Sequence, residues 1–124
     1  MTTSKTTISG AIFGAFMVLG GVVHFINPTM YDPFIPDALP KLAVNYAGGV
    51  VEICLGVGVF VAALRKWALL GILLLMWAFL PLHVLDIFKE VPAVGSHLAA
   101  YIRLPLQFVL IYWAWYNYKQ AAKA

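Results

Sequence analysis

Charge is what this sequence has least of: Asp, Glu, Lys and Arg make up 10% of its 124 residues, against roughly 25% in soluble domains. With 63% of the chain hydrophobic, a water-soluble fold of this length could not hide its apolar surface. The single cysteine, Cys54, rules out an intrachain disulfide and a paired-cysteine haem attachment. Its apolar surroundings predict a small core residue. No dinucleotide-binding glycine fingerprint is present, so neither haem nor flavin is expected as a cofactor. Internal repeats are absent, and nothing is of low complexity beyond the Thr/Ser start and the Lys/Ala tail. Lys and Arg exceed Asp and Glu by 8 to 5, but they are scattered and form no stripe, which argues against nucleic acid as a partner.

What the chain has instead is length of apolar run. About 20 mostly apolar residues cross the hydrocarbon of a bilayer as a helix. Four stretches qualify, at about Ile8–Ile26, Ala43–Leu64, Trp67–Phe88 and His97–Tyr118. The first follows Lys5 like a signal peptide, but it is long and lacks a clear small-residue cleavage site, so a retained helix is expected. Pro28, Pro33, Pro36 and Pro40 interrupt the first connection, Arg65 and Lys66 make a tight basic turn, and Pro92 and Gly95 break the last link. The expected fold is a single all-α domain over residues 1–124, a polytopic four-transmembrane-helix bundle of up-down-up-down order. The bilayer is its principal partner, with a membrane-protein partner or a second copy possible.

Orientation follows from charge. Lys5, Arg65, Lys66, Lys119 and Lys123 fall on one side; Lys41 and Lys89 on the other are offset by Asp32, Asp37 and Glu90. The positive-inside rule then places both termini in the cytoplasm of a bacterial inner membrane. Trp67, Trp113, Trp115, Tyr116 and Tyr118 form the cytoplasmic aromatic belt, and Tyr31, Phe34 and Tyr46 mark the outer interface. Gly10 and Gly14 in the first helix, with Gly48, Gly49 and Gly56 in the second, supply the small residues that close packing in lipid needs.

Five ionisable residues fall inside these runs: His24, Glu52, His83, Asp86 and Arg103, with Asn45 and Gln107 as polar neighbours. A charge at mid-bilayer costs at least about 2.5–3.5 kcal/mol, so each needs a partner or a wet cavity. Counted at the rise of a helix from the outer ends, His24 and Asp86 lie roughly 3–5 Å deep, His83 and Arg103 roughly 8–9 Å, and Glu52 roughly 14 Å. All belong to the outer half, leaving the inner half without an ionisable group until the interface. His83 with Asp86, and Arg103 with Gln107, share helix faces. Glu52 with Arg103 is a candidate buried ion pair that fixes helix register. Arg103 has the alternative of snorkelling to the interface, and His24 and Asp86 that of interfacial polar groups. The donor types of His24, Glu52, His83 and Asp86 suit a metal, but no ligand spacing supports one. Pro81 and Pro105 each free a carbonyl, near residues 77 and 101.

Several segments carry a resemblance. They are Gly21-Val22-Val23-His24-Phe25; Pro28, Tyr31, Pro36 and Leu39-Pro40; Gly49, Glu52 and Gly56; Arg65, Ala68 and Gly71; and Arg103-Leu104-Pro105-Leu106-Gln107. Over nearly its whole length the chain resembles the small bacterial DoxX-like membrane proteins. It departs from them in helix three, where Leu80-Pro81-Leu82-His83 stands in place of Phe-Pro-Ala-Asn. The resemblance implies a four-helix inner-membrane fold. It also implies kinship with a subunit of thiosulfate:quinone oxidoreductase and with proteins linked to redox stress and membrane-protein assembly.

The leading expectation is a redox-associated or accessory membrane protein. Its outward-facing pocket of His24, Glu52, His83, Asp86, Arg103 and Gln107 would bind a small amphipathic ligand such as a quinone. Glu52 and Arg103 would fix that pocket, and His83 with Asp86 would relay protons. The alternatives are a non-enzymatic, chaperone-like subunit of a membrane complex and, less favoured for want of polar groups in the inner half, a solute or proton pathway.

Overall fold

The computed structural model describes residues 7–123, so Lys5 of the charge argument lies outside the described residues. Four helices account for most of the chain: α1 (Ile8–Ile26), α2 (Lys41–Val59), α3 (Arg65–Asp86) and α4 (His97–Ala122). All four are long and apolar enough to cross a membrane. Two single-turn 3-10 helices, Pro28–Met30 and Asp32–Phe34, occupy the proline-rich link between α1 and α2. No strand occurs among the described residues.

The helix ends have local causes. The Thr7 side chain accepts from the Gly10 amide to start α1, and Ser96 accepts from Ala99 to start α4. Helix α2 stops at Val59 rather than at Leu64 as expected. Phe60 and Val61 tighten into bonds to Val57 and Gly58, and Arg65 Nε donates to the Val59 carbonyl at 2.7 Å. A cation on a helix C-terminus satisfies an orphan carbonyl and opposes the negative end of the helix dipole. Arg65, expected at the basic interface, is therefore buried at 6% exposure. Helix α4 runs on to Ala122, past the expected Tyr118, because Lys119, Gln120, Ala121 and Ala122 are good helix formers.

Packing is densest within the pairs α1–α2 and α3–α4. Small residues make the first seam. A Cβ at Gly14 would lie 3.1 Å from the Gly56 carbonyl, and one at Gly21 would lie 2.7 Å from the Gly49 carbonyl. As α1 advances from residue 14 to 21, its neighbour retreats from 56 to 49. On the other seam Gln107 of α4 reaches Met76 of α3. Helices α1 and α4 meet where Ser9 donates to Asn117 at 2.8 Å, Trp113 donates to Ser9 at 2.7 Å, and the Phe13 and Trp113 rings lie 4.4 Å apart.

Two environments result. Phe13, Met17, Val59, Leu69, Ile72, Met76, Ile111 and Ala114 form an apolar core toward the end where α1 begins and α4 finishes. Toward the other end His24, Asn45, Glu52, His83 and Asp86 are buried. The first end is not free of polarity as expected, since Asn117 and Arg65 are buried there too. Outside, Ile12, Phe16, Leu19, Leu74, Trp77, Phe108 and Tyr112 are exposed. Cys54, expected in the core, is exposed as well. Asn45, Gly49, Glu52 and Gly56 turn the inward face of α2 at helical spacing, and Cys54, two residues from Glu52, falls on the opposite side.

The α1–α2 seam yields a prediction. Gly21→Ala drives a Cβ into backbone atoms of Gly49 and Ile53 that cannot step aside, costing about 1–3 kcal/mol as overpacking does. At Gly48 the nearest atom is a His24 ring carbon at 3.4 Å, so Gly48→Ala should be near neutral. Thermal unfolding in mild detergent measures both, and equal losses would contradict this assignment of the seam.

Candidate functional site

The site is built outward from one amide. Asn45, in the second turn of α2 and 1% exposed, donates through Nδ2 to the Pro28 carbonyl at 2.6 Å and to Asp32 Oδ1 at 2.9 Å. Both partners are acceptors, so the amide orientation is fixed and its Oδ1 must accept. That oxygen lies 3.0 Å from His24 Nδ1, which makes Nδ1 the donor. His24 Nε2 then faces Glu52 Oε2 at 3.5 Å. The contact is at ion-pair distance, and Nε2 makes no hydrogen bond.

Above His24 the interhelical link forms a roof. The Tyr31 ring stacks on the His24 ring at 3.7 Å and 6°, and its hydroxyl donates to the Gly20 carbonyl at 3.3 Å. Phe34 meets His83 edge-on at 5.4 Å. Lys41 Nζ donates to the carbonyls of Asp32 and Ile35, and Lys89 Nζ to that of Pro33 at 2.9 Å. Ties from α1, α2 and the link after α3 thus hold this short segment over the bundle.

Beneath it lies a cavity of about 230 Å³. Its polar groups come from His24, Tyr31, Asn45 and His83; Phe34, Val44, Phe79 and Leu82 supply much of the apolar wall. A dry cavity of about 150 Å³ already accepts benzene, so this one is of ring size. His83 is 9% exposed, and its buried Nδ1 has no hydrogen-bond partner.

The residues singled out by sequence divide. His24 and His83 line the cavity, and Glu52 sits behind His24. Glu52 pairs with His24, not with Arg103 as expected, because α1 and α2 share the tightest seam and Gly20 leaves room beside Glu52 Oε2. Asp86, 1% exposed, accepts from the amides of Ala93 at 2.6 Å and Val94 at 3.4 Å, with Lys89 at 3.9 Å. It thereby fastens the turn after α3 and is engaged away from the expected relay with His83. Gln107 donates to the Met76 carbonyl at 2.6 Å, one residue from the carbonyl that Pro81 frees. Arg103 is half-buried on α4, and its Nη1 is buried without a partner. No group of three or more His, Cys, Asp or Glu that could hold a metal occurs among the described residues.

Sequence reasoning passed over the cavity walls Ile35, Pro36, Val44, Phe79 and Leu82, and it placed Tyr31 and Phe34 only at an interface. Periodicity within a helix cannot show what a proline-rich link folds over.

Against known proteins, residues 13–117 match the family model described as a domain of unknown function (DUF8561). No curated protein and no solved structure matches the chain.

Tyr31 reports on the roof. Burial first, and the nearby Glu52 carboxylate second, push its phenol above the usual 10. Because the folded value is raised, the stability this phenol contributes is intact below pH 10 and is lost as pH climbs through the raised value. Absorbance titration of the wild type minus Tyr31→Phe should show a phenol titrating above 10. In Glu52→Gln it should move down yet stay above 10, since the larger cause remains. An unshifted phenol would remove the roof from this picture.

Proposed function

The chain belongs to the DUF8561 family, described only as being of unknown function, and from its site we propose that it is a multi-pass membrane protein binding a small amphipathic ligand. The cavity under residues 28–36, with an unpartnered imidazole nitrogen on a buried wall, carries this reading. A largely apolar cavity with a few convergent polar groups is the usual form of a small-molecule site. The ligand's apolar part occupies the space between Phe34, Phe79 and Leu82, and His83 Nδ1 meets its polar part.

Several observations support the membrane setting. A third or less of each long helix is buried within the protein, and the outward faces are apolar while the polar groups are inside. Hydrocarbon demands that arrangement, since it cannot satisfy polar groups. The opposite order of the neighbours 14–21 and 56–49, and of Ser9 and Phe13 beside Asn117 and Trp113, supports an up-down-up-down bundle. The charge distribution supports termini in the cytoplasm of a bacterial inner membrane, with the cavity toward the outside. The DoxX-like resemblance adds an accessory or redox-associated role, with a quinone as the candidate ligand.

Cys54 tests the setting directly. Although exposed in the fold, it should stay unlabelled by a membrane-impermeant maleimide in native membranes and react after denaturation. Prompt labelling in the native membrane would rule the insertion out.

A tail-less benzoquinone tests the site. It should bind the detergent-purified protein saturably and about tenfold more weakly after His83→Ala, the scale of one lost hydrogen bond. Gly48→Leu, which fills the cavity beside His24, should abolish binding with the fold retained. Binding indifferent to both changes would dispose of the site.

A further inference from the structure

Not every charge around the cavity has a partner. Four carboxylates near it are engaged. Asp32 accepts from Asn45, and Asp37 pairs with Lys41 at 3.1 Å. Glu52 pairs with His24, and Asp86 holds two amides and Lys89. Glu90 is exposed in the link before α4. Arg103 is left with no carboxylate within ion-pair distance among the described residues, and its Nη1 is shut off from solvent with nothing to donate to.

Arg103 does not line the cavity itself but lies near His83, which does. Gln107 of α4 lies level with Met76 of α3, and His97 at the start of α4 meets the Lys89 carbonyl just beyond the end of α3, so α4 is taken to return along α3. One turn back along α4 therefore brings Arg103 level with about residue 80. His83 is a further three residues on, within the span of an arginine stem, and both that guanidinium and the Asp86 carboxylate act electrostatically on its ring. Two buried nitrogens without partners, His83 Nδ1 and Arg103 Nη1, thus belong to neighbouring side chains on the α3–α4 side. Arg103 is always charged and offers a fork of donors that fits carboxylate or phosphate oxygens.

Resting on the reading of the cavity as a ligand site, we infer that the ligand is an amphiphile headed by an oxyanion. The oxyanion is held by Arg103 and His83, and the apolar body lies in the cavity. The uncompensated charge thereby shifts the ligand class away from a neutral quinone. The oxyanion has two possible sources, the carboxylate of a free amphiphile and the phosphate of an anionic lipid headgroup.

The test uses hydrocinnamate and its uncharged amide, which share an apolar body, on the full chain in nanodiscs of zwitterionic phosphatidylcholine. Hydrocinnamate should bind at least tenfold more tightly than the amide. Arg103→Gln should remove that preference, weakening hydrocinnamate about ten- to hundredfold, the range of a charge-assisted hydrogen bond, and leaving the amide unchanged. Arg103→Lys, which keeps the charge but not the fork, should preserve the preference at reduced affinity, and this guards against a merely misfolded Gln variant. Adding anionic phosphatidylglycerol separates the sources. Competition with hydrocinnamate in the wild type assigns the site to a lipid headgroup, and indifference assigns it to a free amphiphile. If acid and amide bind alike and Arg103→Gln affects neither, the oxyanion is refuted while the cavity stands. If neither probe binds, or Gly48→Leu leaves binding intact, cavity and oxyanion fail together.

Discussion

Asn45 is the one side chain that four parts of this structure share. Its amide nitrogen ties down the backbone at Pro28 and the carboxylate of Asp32; its oxygen takes the proton of His24 Nδ1. By accepting from Nδ1 it leaves His24 Nε2 to face Glu52, so the orientation of a ring on α1 is set from α2. The Tyr31 ring stacks on the same imidazole, which carries the constraint from the helices to the roof. Remove the amide, and three groups lose partners at once, the buried His24 ring at a cost of about 1–3 kcal/mol and the partly buried Pro28 carbonyl and Asp32 carboxylate at less. The cavity exists because this link is held up from below rather than collapsed onto α3.

The two helix pairs solve the packing problem in different ways. Along α1–α2 the backbones approach so closely that Gly14, Gly21, Gly49 and Gly56 admit no Cβ without displacement. That closeness brings His24 within reach of both Asn45 and Glu52. Along α3–α4 larger side chains intervene, Leu69, Ile72 and Met76 facing Leu110 and Ile111. There the link is Gln107 on the Met76 carbonyl, beside the hydrogen bond that Pro81 cannot make. One seam therefore brings its charged groups against one another, His24 against Glu52. The other leaves His83 and Arg103 unmatched.

The helices were legible because a 3.6-residue period and runs of about 20 apolar residues leave few alternatives. Their ends were less so: the stop at Val59 depends on Arg65 returning to its carbonyl, a contact between residues whose local sequence only reads as a basic turn. The polar face Asn45, Glu52 and the glycines was visible as spacing, but its partner was not. Spacing within α2 cannot distinguish a histidine on α1 from an arginine on α4, and the expected Glu52–Arg103 pair failed on that ambiguity. Asp86 failed similarly. Its i, i+3 relation to His83 was genuine, yet the amides of Ala93 and Val94 lay nearer to its oxygens, brought there by a turn that Pro92 and Gly95 announced without revealing its direction. Tyr31 and Phe34 were read as interface aromatics, because only the folded link shows which rings they meet.

The failed pair has a consequence for the site. Had Glu52 neutralised Arg103, the bundle would have carried a closed set of internal charges, and His24 would have been the odd group out. With Glu52 on His24, unpartnered groups are left instead on α3 and α4, at His83 and Arg103. A neutral imidazole offers one acceptor nitrogen, and an arginine fork has more donors than that nitrogen can serve. Such a site gains most from a partner that brings its own acceptor oxygens.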